Sequence, residues 1–228
     1  MRNGPDIAAL ASLMGDPARA AMLSALMDGQ ALTASELATE AGVTPQTASS
    51  HLAKLEAGGL LTRAKQGRHV YLRLASPDVA AVLEGLMALS ASVGPARVRP
   101  GPRDAALREA RVCYNHLAGR RGVQMYEALV RAGVLAEGPV ATEQMGAALA
   151  PLALDPAALT GKAPLCRDCL DWSERRHHLA GRLGRAILTA LEAQGWVRRD
   201  AASRAVRFTA NGAAAFDRAF PATEGPDG

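Results

Sequence analysis

Between Leu32 and Leu74 the apolar positions recur first at helical and then at alternating spacing. Thr33 is placed to cap a short helix whose inner face is Leu37, Ala38 and Ala41; Gly42 ends it, and Val43 fills the turn that follows. Thr44 caps a second helix with Pro45 at its first position, where a missing N–H costs nothing, and Ala48, Leu52 and Leu55 share one of its faces. The opposite face reads Gln46, Thr47, Ser49, Ser50 and Lys54. Short hydrogen-bonding side chains and one cation suit base edges and phosphates in a major groove, and Thr44 joins this set at the helix start. Gly58 and Gly59 stop the helix, and 60–66 and 69–74 alternate as two strands around Gly67-Arg68. That hairpin brings Arg63, Lys65, Arg68 and Arg73 beside the second helix, where phosphates would lie. The pattern is a helix-turn-helix with a wing.

Flanking helices at 7–14 and 77–91 are apolar on more than one face, which predicts a two-fold dimer. Domain one therefore spans 1–93 and a Pro/Gly/Arg linker 94–103; a second domain fills 104–220, and a polar tail occupies 221–228. The second domain contains an echo. CYNHLAGRRGVQMYEAL starts at Cys113 and RRHHLAGRLGRAILTAL at Arg175, which suggests a duplicated helical unit. The second copy runs into a helix, two short strands turning near 201–203, and a closing helix. This is a winged-helix-like end, in which Arg198, Arg199, Arg204 and Arg207 could meet phosphates but which more often packs or binds ligand. The expected fold class is mainly α with small β wings (α+β).

Composition adds limits. Hydrophobic residues make up 49% of the 228 but aromatics only 4%, so Ala, Leu and Val must fill the core. No run of about eighteen apolar residues occurs, and MRNGPD lacks a signal peptide's order, so a soluble cytoplasmic protein with reduced thiols and no membrane partner is expected. Net charge is only +4, yet between Thr44 and Ala75 five Lys/Arg stand against Glu56 alone. The cations are concentrated where duplex DNA would bind.

The candidate chemistry lies in the second domain. Cys113-Tyr-Asn-His116 is a C-x2-H and Cys166-Arg-Asp-Cys169 a C-x2-C, with His177 and His178 shortly beyond. On a helix or tight turn residues three apart can share an ion, and thiolate with imidazole suits zinc or cadmium. Cys113, Cys166 and Cys169 could equally form the three-thiolate site of arsenic(III), with His116 or His178 as further donors to a divalent ion. Alternatively Arg111, Arg120, Arg121 and Arg167 could lower a thiol's pKa and make a redox sensor. Structural zinc, or buried cysteines with no special chemistry, complete the alternatives. Asp171-Trp-Ser-Glu-Arg-Arg176, with Glu174 near His177 and His178, resembles an acid–base pair, but an Asp/Ser-capped helix start anchored by Trp172 explains it more simply. No phosphate loop, nucleophile elbow or metallohydrolase signature occurs, and no enzyme is expected.

Through GDPARAAMLSALM, SELATEAGVTPQTASSHLAKLEAGGLLTRAKQGRHVYLRL and the helix after it, the chain resembles the ArsR/SmtB family of winged-helix repressors. The resemblance implies a homodimer on a double-stranded operator, released by a small effector. Metal sensors of this kind often carry Cys-x-Cys where this chain has Glu36-Leu-Ala-Thr-Glu40, or histidines on the last dimer helix, where Asp78 and Glu84 stand without any. An effector would then act through the added domain, either as a metal, a metalloid or a thiol reagent, or as an organic ligand or protein partner that needs no metal.

Overall fold

A computed structural model describes residues 5–66, 69–93, 102, 104–135, 144–201 and 203–222. They divide into two compact units, Met1–Leu83 and Glu84–Gly228.

In the first unit α1 (Ile7–Met14) and α2 (Pro17–Ala25) are capped by Asp6 and Asp16, each accepting from a backbone N–H three residues on. Arg19 is buried on α2. Its guanidinium donates to the carbonyls of Leu13 (2.6 Å) and Ser12 (2.7 Å), which satisfies carbonyls left open at the end of α1. After β1 (Leu32–Thr33) come α3 (Ala34–Ala41) and α4 (Pro45–Ala57). Thr33 and Glu36 form a reciprocal capping box on α3, and Gly42 ends it at φ 64°, in the left-handed region. The wing is β2 (Leu61–Gln66) with β3 (His69–Leu74), paired antiparallel from Leu61↔Leu74 to Gln66↔His69, with β1 on the other edge of β3. Met22, Leu23, Leu37, Leu52, Leu55 and Leu72 are all at most 2% exposed and form the core. The helix-turn-helix and its wing thus stand where the hydrophobic pattern puts them.

Helix α5 (Pro77–Val93) starts just after the wing and crosses the division at Leu83. The sequence carries the first domain to residue 93, whereas here the division falls inside the helix. The Pro/Gly linker lies outside the described residues except for Pro102. Val82, Leu86, Leu89 and Val93 are all exposed on α5, and their spacing of four, three and four puts them on one face. Ile7 on α1 is 77% exposed.

The second unit holds the duplication. Its first copy is α6 (Ala105–Glu109), β4 (Arg111–Cys113), β5 (His116–Ala118) and α7 (Arg120–Arg131), followed by the short α8 (Met145–Leu149). Its second is β6 (Arg167–Leu170), β7 (His177–Ala180) and α9 (Gly181–Ala193). Each copy is an antiparallel hairpin running into a helix, and matched glycines punctuate both. Gly119 and Gly181 have φ of 81° and 84°. A Cβ at Gly122 would fall 2.5 Å from the Leu117 carbonyl, and one at Gly184 would fall 2.3 Å from that of Leu179. Beyond those carbonyls, Gly122 faces Cβ of His178 and Gly184 faces Cβ of His116, so the first turn of each helix packs on the other copy's histidine. The two copies are related by a pseudo-two-fold exchange. The chain closes with the hairpin β8 (Val197–Arg199) and β9 (Val206–Phe208) and with α10 (Ala210–Ala219), the winged-helix-like end expected from the sequence. In that hairpin Arg199 is paired with Glu192 and Arg207 with Asp200. Among the described residues no helix is long and apolar enough to cross a membrane.

Candidate DNA-binding face and candidate metal centre

Helix α4 buries Ala48, Leu52 and Leu55 and leaves Thr44, Gln46, Thr47, Ser49, Ser50 and Lys54 exposed. Some of these hydroxyls already have local partners. Thr44 Oγ1 caps the helix by accepting from the Thr47 N–H and lies 2.9 Å from Thr47 Oγ1, while Ser49 Oγ donates to the Pro45 carbonyl. Gln46, Ser50 and Lys54 are the longer-reaching or less committed groups of this face. On the wing Arg63, Lys65 and Arg73 are exposed, and Arg63 makes a two-pronged ion pair with Glu56 of α4. Arg68 lies outside the described residues.

In the second unit the two hairpins converge their donors. Cys113 is the register partner of His116 on β4 and β5, and Cys169 that of His178 on β6 and β7. A tight turn through Tyr114, at φ 57°, and Asn115 joins the first pair. All four residues are buried, and one donor atom from each lies within 4.8 Å of the others. The two imidazoles present Nε2 to each other at 3.1 Å. A tetrahedral ion with bonds of ~2.0 Å to nitrogen would hold two such atoms about 3.3 Å apart, so two thiols and two imidazoles fit a zinc-like divalent ion. When bound, such an ion would supply a closed, four-coordinate tie between the hairpins.

Two carboxylates flank the cluster. Glu84, on α5 and in the second unit, accepts through Oε1 from Cys113 Sγ (2.7 Å) and through Oε2 from Cys169 Sγ (2.8 Å). Asp171 is wholly buried. Its Oδ1 accepts from Arg111 Nη2 (2.7 Å), from the Ser173 hydroxyl and N–H, and from the Glu174 N–H; its Oδ2 accepts from the Gly119 N–H (2.7 Å). Burial opposes ionisation of Asp171, but the charge of Arg111 and the hydrogen bonds from Ser173 and Arg111 outweigh it and hold the carboxyl well below the usual range. Burial, then the neighbouring His178, brings His116 down to about 3; burial brings His178 down to about 4 despite Asp171. Both rings are neutral and have lone pairs to offer. The thiols are pushed the other way. A hydrogen bond from Cys169 favours the Cys113 thiolate, but burial and the charge of Glu84 outweigh it. Cys169 is raised by its hydrogen bond to Cys113, by burial and by Glu84.

Several sequence expectations change here. Cys166 falls outside the four-residue cluster and is buried in the apolar core that also holds Leu179 and Leu183. The helix-or-turn spacing assumed for C-x2-C does not apply, because the chain is extended from Arg167 on and residues three apart on a strand face opposite ways. Matching Arg111↔Ala118 to Arg167↔Ala180 shows that Cys166 occupies the place of Ala110 in the other copy, as a small apolar filler. The three-thiol site for arsenic(III) is therefore not assembled. Of the four arginines expected to activate a thiol, Arg111 is paired with Asp171 and both Arg120 and Arg121 with Glu109, while the charge of Arg167 is felt at His116. The thiols are raised, opposite to what a thiolate redox sensor needs. The 171–176 segment is not a helix start but the connection between β6 and β7, with Arg111 lying over the Trp172 ring. His178 turns its nitrogens to His116 and toward Asp171 rather than forming an acid–base pair with Glu174.

The first unit defines a winged helix-turn-helix DNA-binding protein, and the second holds a buried Cys/His cluster that could hold a metal ion. A family described as a helix-turn-helix domain matches residues 14–64. The chain is 39% identical over 218 residues to the uncharacterized HTH-type transcriptional regulator YdfF of Bacillus subtilis (strain 168), covering 94% of this chain and 96% of that protein. It belongs to the family of HTH-type transcriptional regulators, and its first unit is a winged helix-turn-helix. Among solved structures it is similar to HlyU from Vibrio cholerae N16961 (30% identity, 36% of this chain and 88% of that one, TM-score 0.34). It is also similar to the cadmium metal-sensor CMTR from Mycobacterium tuberculosis (28% identity, 43% of this chain and 99% of that one, TM-score 0.33).

Proposed function

We propose that this regulator is a homodimeric repressor that binds duplex operator DNA through α4 and the wing and is released when a thiophilic divalent ion, zinc or cadmium, occupies Cys113, His116, Cys169 and His178. The observation that carries the reading is the bridge from Glu84 to both thiols. A metal takes thiolates, so loading removes the two S–H donors that Glu84 accepts from and sets a carboxylate against sulfur anions. Glu84 must then change its contacts, and it belongs to the helix that leaves the wing and carries the apolar stripe Val82, Leu86, Leu89 and Val93. An ion that alters that helix favours one arrangement of the regulator over another, which is the requirement for an effector. Operator affinity of wild type and of Glu84→Gln, each with and without zinc, tests this. Wild type is expected to lose affinity on loading, and Glu84→Gln to bind zinc with a much smaller loss. Equal losses in both would remove Glu84 from the pathway.

A second reading, an organic acid as effector, has one observation in its favour. A groove of about 730 Å³ between α9 and the 152–163 segment has Leu152, Leu154 and Leu159 in its lining and Lys162, Arg182 and Arg185 around it, with no acidic residue. Titration with octanoate and with octanol, read by the intrinsic fluorescence of the protein, separates a carboxylate site from mere apolar adhesion.

A further inference from the structure

Among the described residues His178 Nδ1 is the buried side-chain nitrogen or oxygen with no hydrogen-bond partner. A buried, unpaired ring nitrogen is costly and demands an explanation. It lies 3.9 Å from Asp171 Oδ2, and both side chains are at most 1% exposed. We propose that Asp171 is the positioning carboxylate of the metal centre, fixing His178 in the tautomer that carries its proton on Nδ1 and offers the Nε2 lone pair to the ion. The inference rests on the metal-binding reading of the cluster.

The geometry of Asp171 is suited to this. Oδ1 is crowded by donors from Arg111, Ser173 and Glu174, whereas Oδ2 takes only the Gly119 N–H and retains acceptor capacity toward His178. A shift of about 1 Å converts the 3.9 Å gap into a hydrogen bond. The other histidine has a weaker counterpart, Asn115 Oδ1 at 3.4 Å from His116 Nδ1, so the two imidazoles of a pseudo-symmetric site are supported unequally. A carboxylate behind an imidazole fixes its tautomer and raises its basicity, which strengthens the bond to a metal. Arg111 pairs with Asp171 from β4, while His178 sits on β7, so the support spans both copies.

The test is metal affinity of the full chain, measured by cobalt(II) absorption and zinc competition. Asp171→Asn is expected to bind about 10–100-fold more weakly than wild type. Ser173→Ala removes another donor to Asp171 without touching His178 and is expected to bind within about twofold of wild type, the range of context effects. In zinc-loaded, ¹⁵N-labelled wild type, His178 is expected to be protonated at Nδ1, a readout that stands even if Asp171→Asn does not fold. Unchanged affinity in Asp171→Asn, an equal loss in Ser173→Ala, or an unprotonated Nδ1 would each overturn the role of Asp171. Wild type that took up neither cobalt nor zinc would instead remove the metal reading, and this inference with it.

Discussion

Cys166 and Cys169 stand three apart in the sequence, yet only one points into the cluster. The C-x2-C spacing marks a chelate on a turn; once the segment is extended the two thiols diverge, and the partners of Cys169 come from the facing strand and the other copy. Cys113→Ser and Cys169→Ser are therefore expected to abolish tetrahedral cobalt(II) absorption, and Cys166→Ser to leave it intact. A Cys166→Ser protein without cobalt bands would restore a three-thiol site. The same limit explains why Glu84 and Asp171 were not legible as neighbours of the site. Glu84 meets Cys169 across 85 positions and Asp171 meets Arg111 across 60, and no local pattern encodes such pairs. Tyr126 is a third long-range case. Burial, and donation to Asp168 Oδ1 at 2.6 Å, push its phenol up to about 12. Because the folded value lies above the unfolded one, its stabilising effect is complete below pH ~10 and is lost as pH rises toward the folded value. Ultraviolet titration should show one of the three tyrosines ionising late; three coincident titrations would contradict that contact.

At the level of elements the sequence was most informative where short-range rules act. Caps at Thr33 and Thr44, the left-handed Gly42 and the apolar faces of α3 and α4 are local signals, and each sits where the pattern places it. On α4, Gln46→Ala or Ser50→Ala is expected to cost about 1–3 kcal/mol at the operator and to relax base preference. Unchanged operator affinity in both would mean that another surface reads the DNA. On α5, Leu86→Asp with Leu89→Asp places two charges in the exposed stripe, and sedimentation should show a dimer becoming a monomer. A wild-type monomer at micromolar concentration would refute the dimer outright. In the duplicated hairpin–helix elements the glycines are steric necessities. Gly184→Ala puts a methyl group 2.3 Å from the Leu179 carbonyl and is expected to destabilise by about 1–3 kcal/mol in thermal melts, a typical overpacking cost. A wild-type melting temperature would mean that the helices do not approach that closely.

For the whole molecule, the winged helix follows from periodicity alone, whereas the cluster follows from the echo. Two copies of His-Leu-Ala-Gly, exchanged about a pseudo-two-fold, bring each histidine against the other copy's helix, and so gather two distant Cys/His pairs into one buried site. A DNA-binding face alone makes a regulator; on the proposed reading, a buried site whose occupancy removes the partners of Glu84 makes a responsive one. The central claim is that coupling, and fluorescence anisotropy of labelled upstream DNA with the full chain, titrated with zinc at fixed salt, measures it most directly. Zinc uptake is followed in parallel by cobalt displacement. The expected result is an operator affinity that falls by about 5–150-fold as the site fills, the ordinary size of an allosteric coupling. An operator affinity that stays constant while the four-residue site saturates would contradict it and leave the metal with a structural role alone.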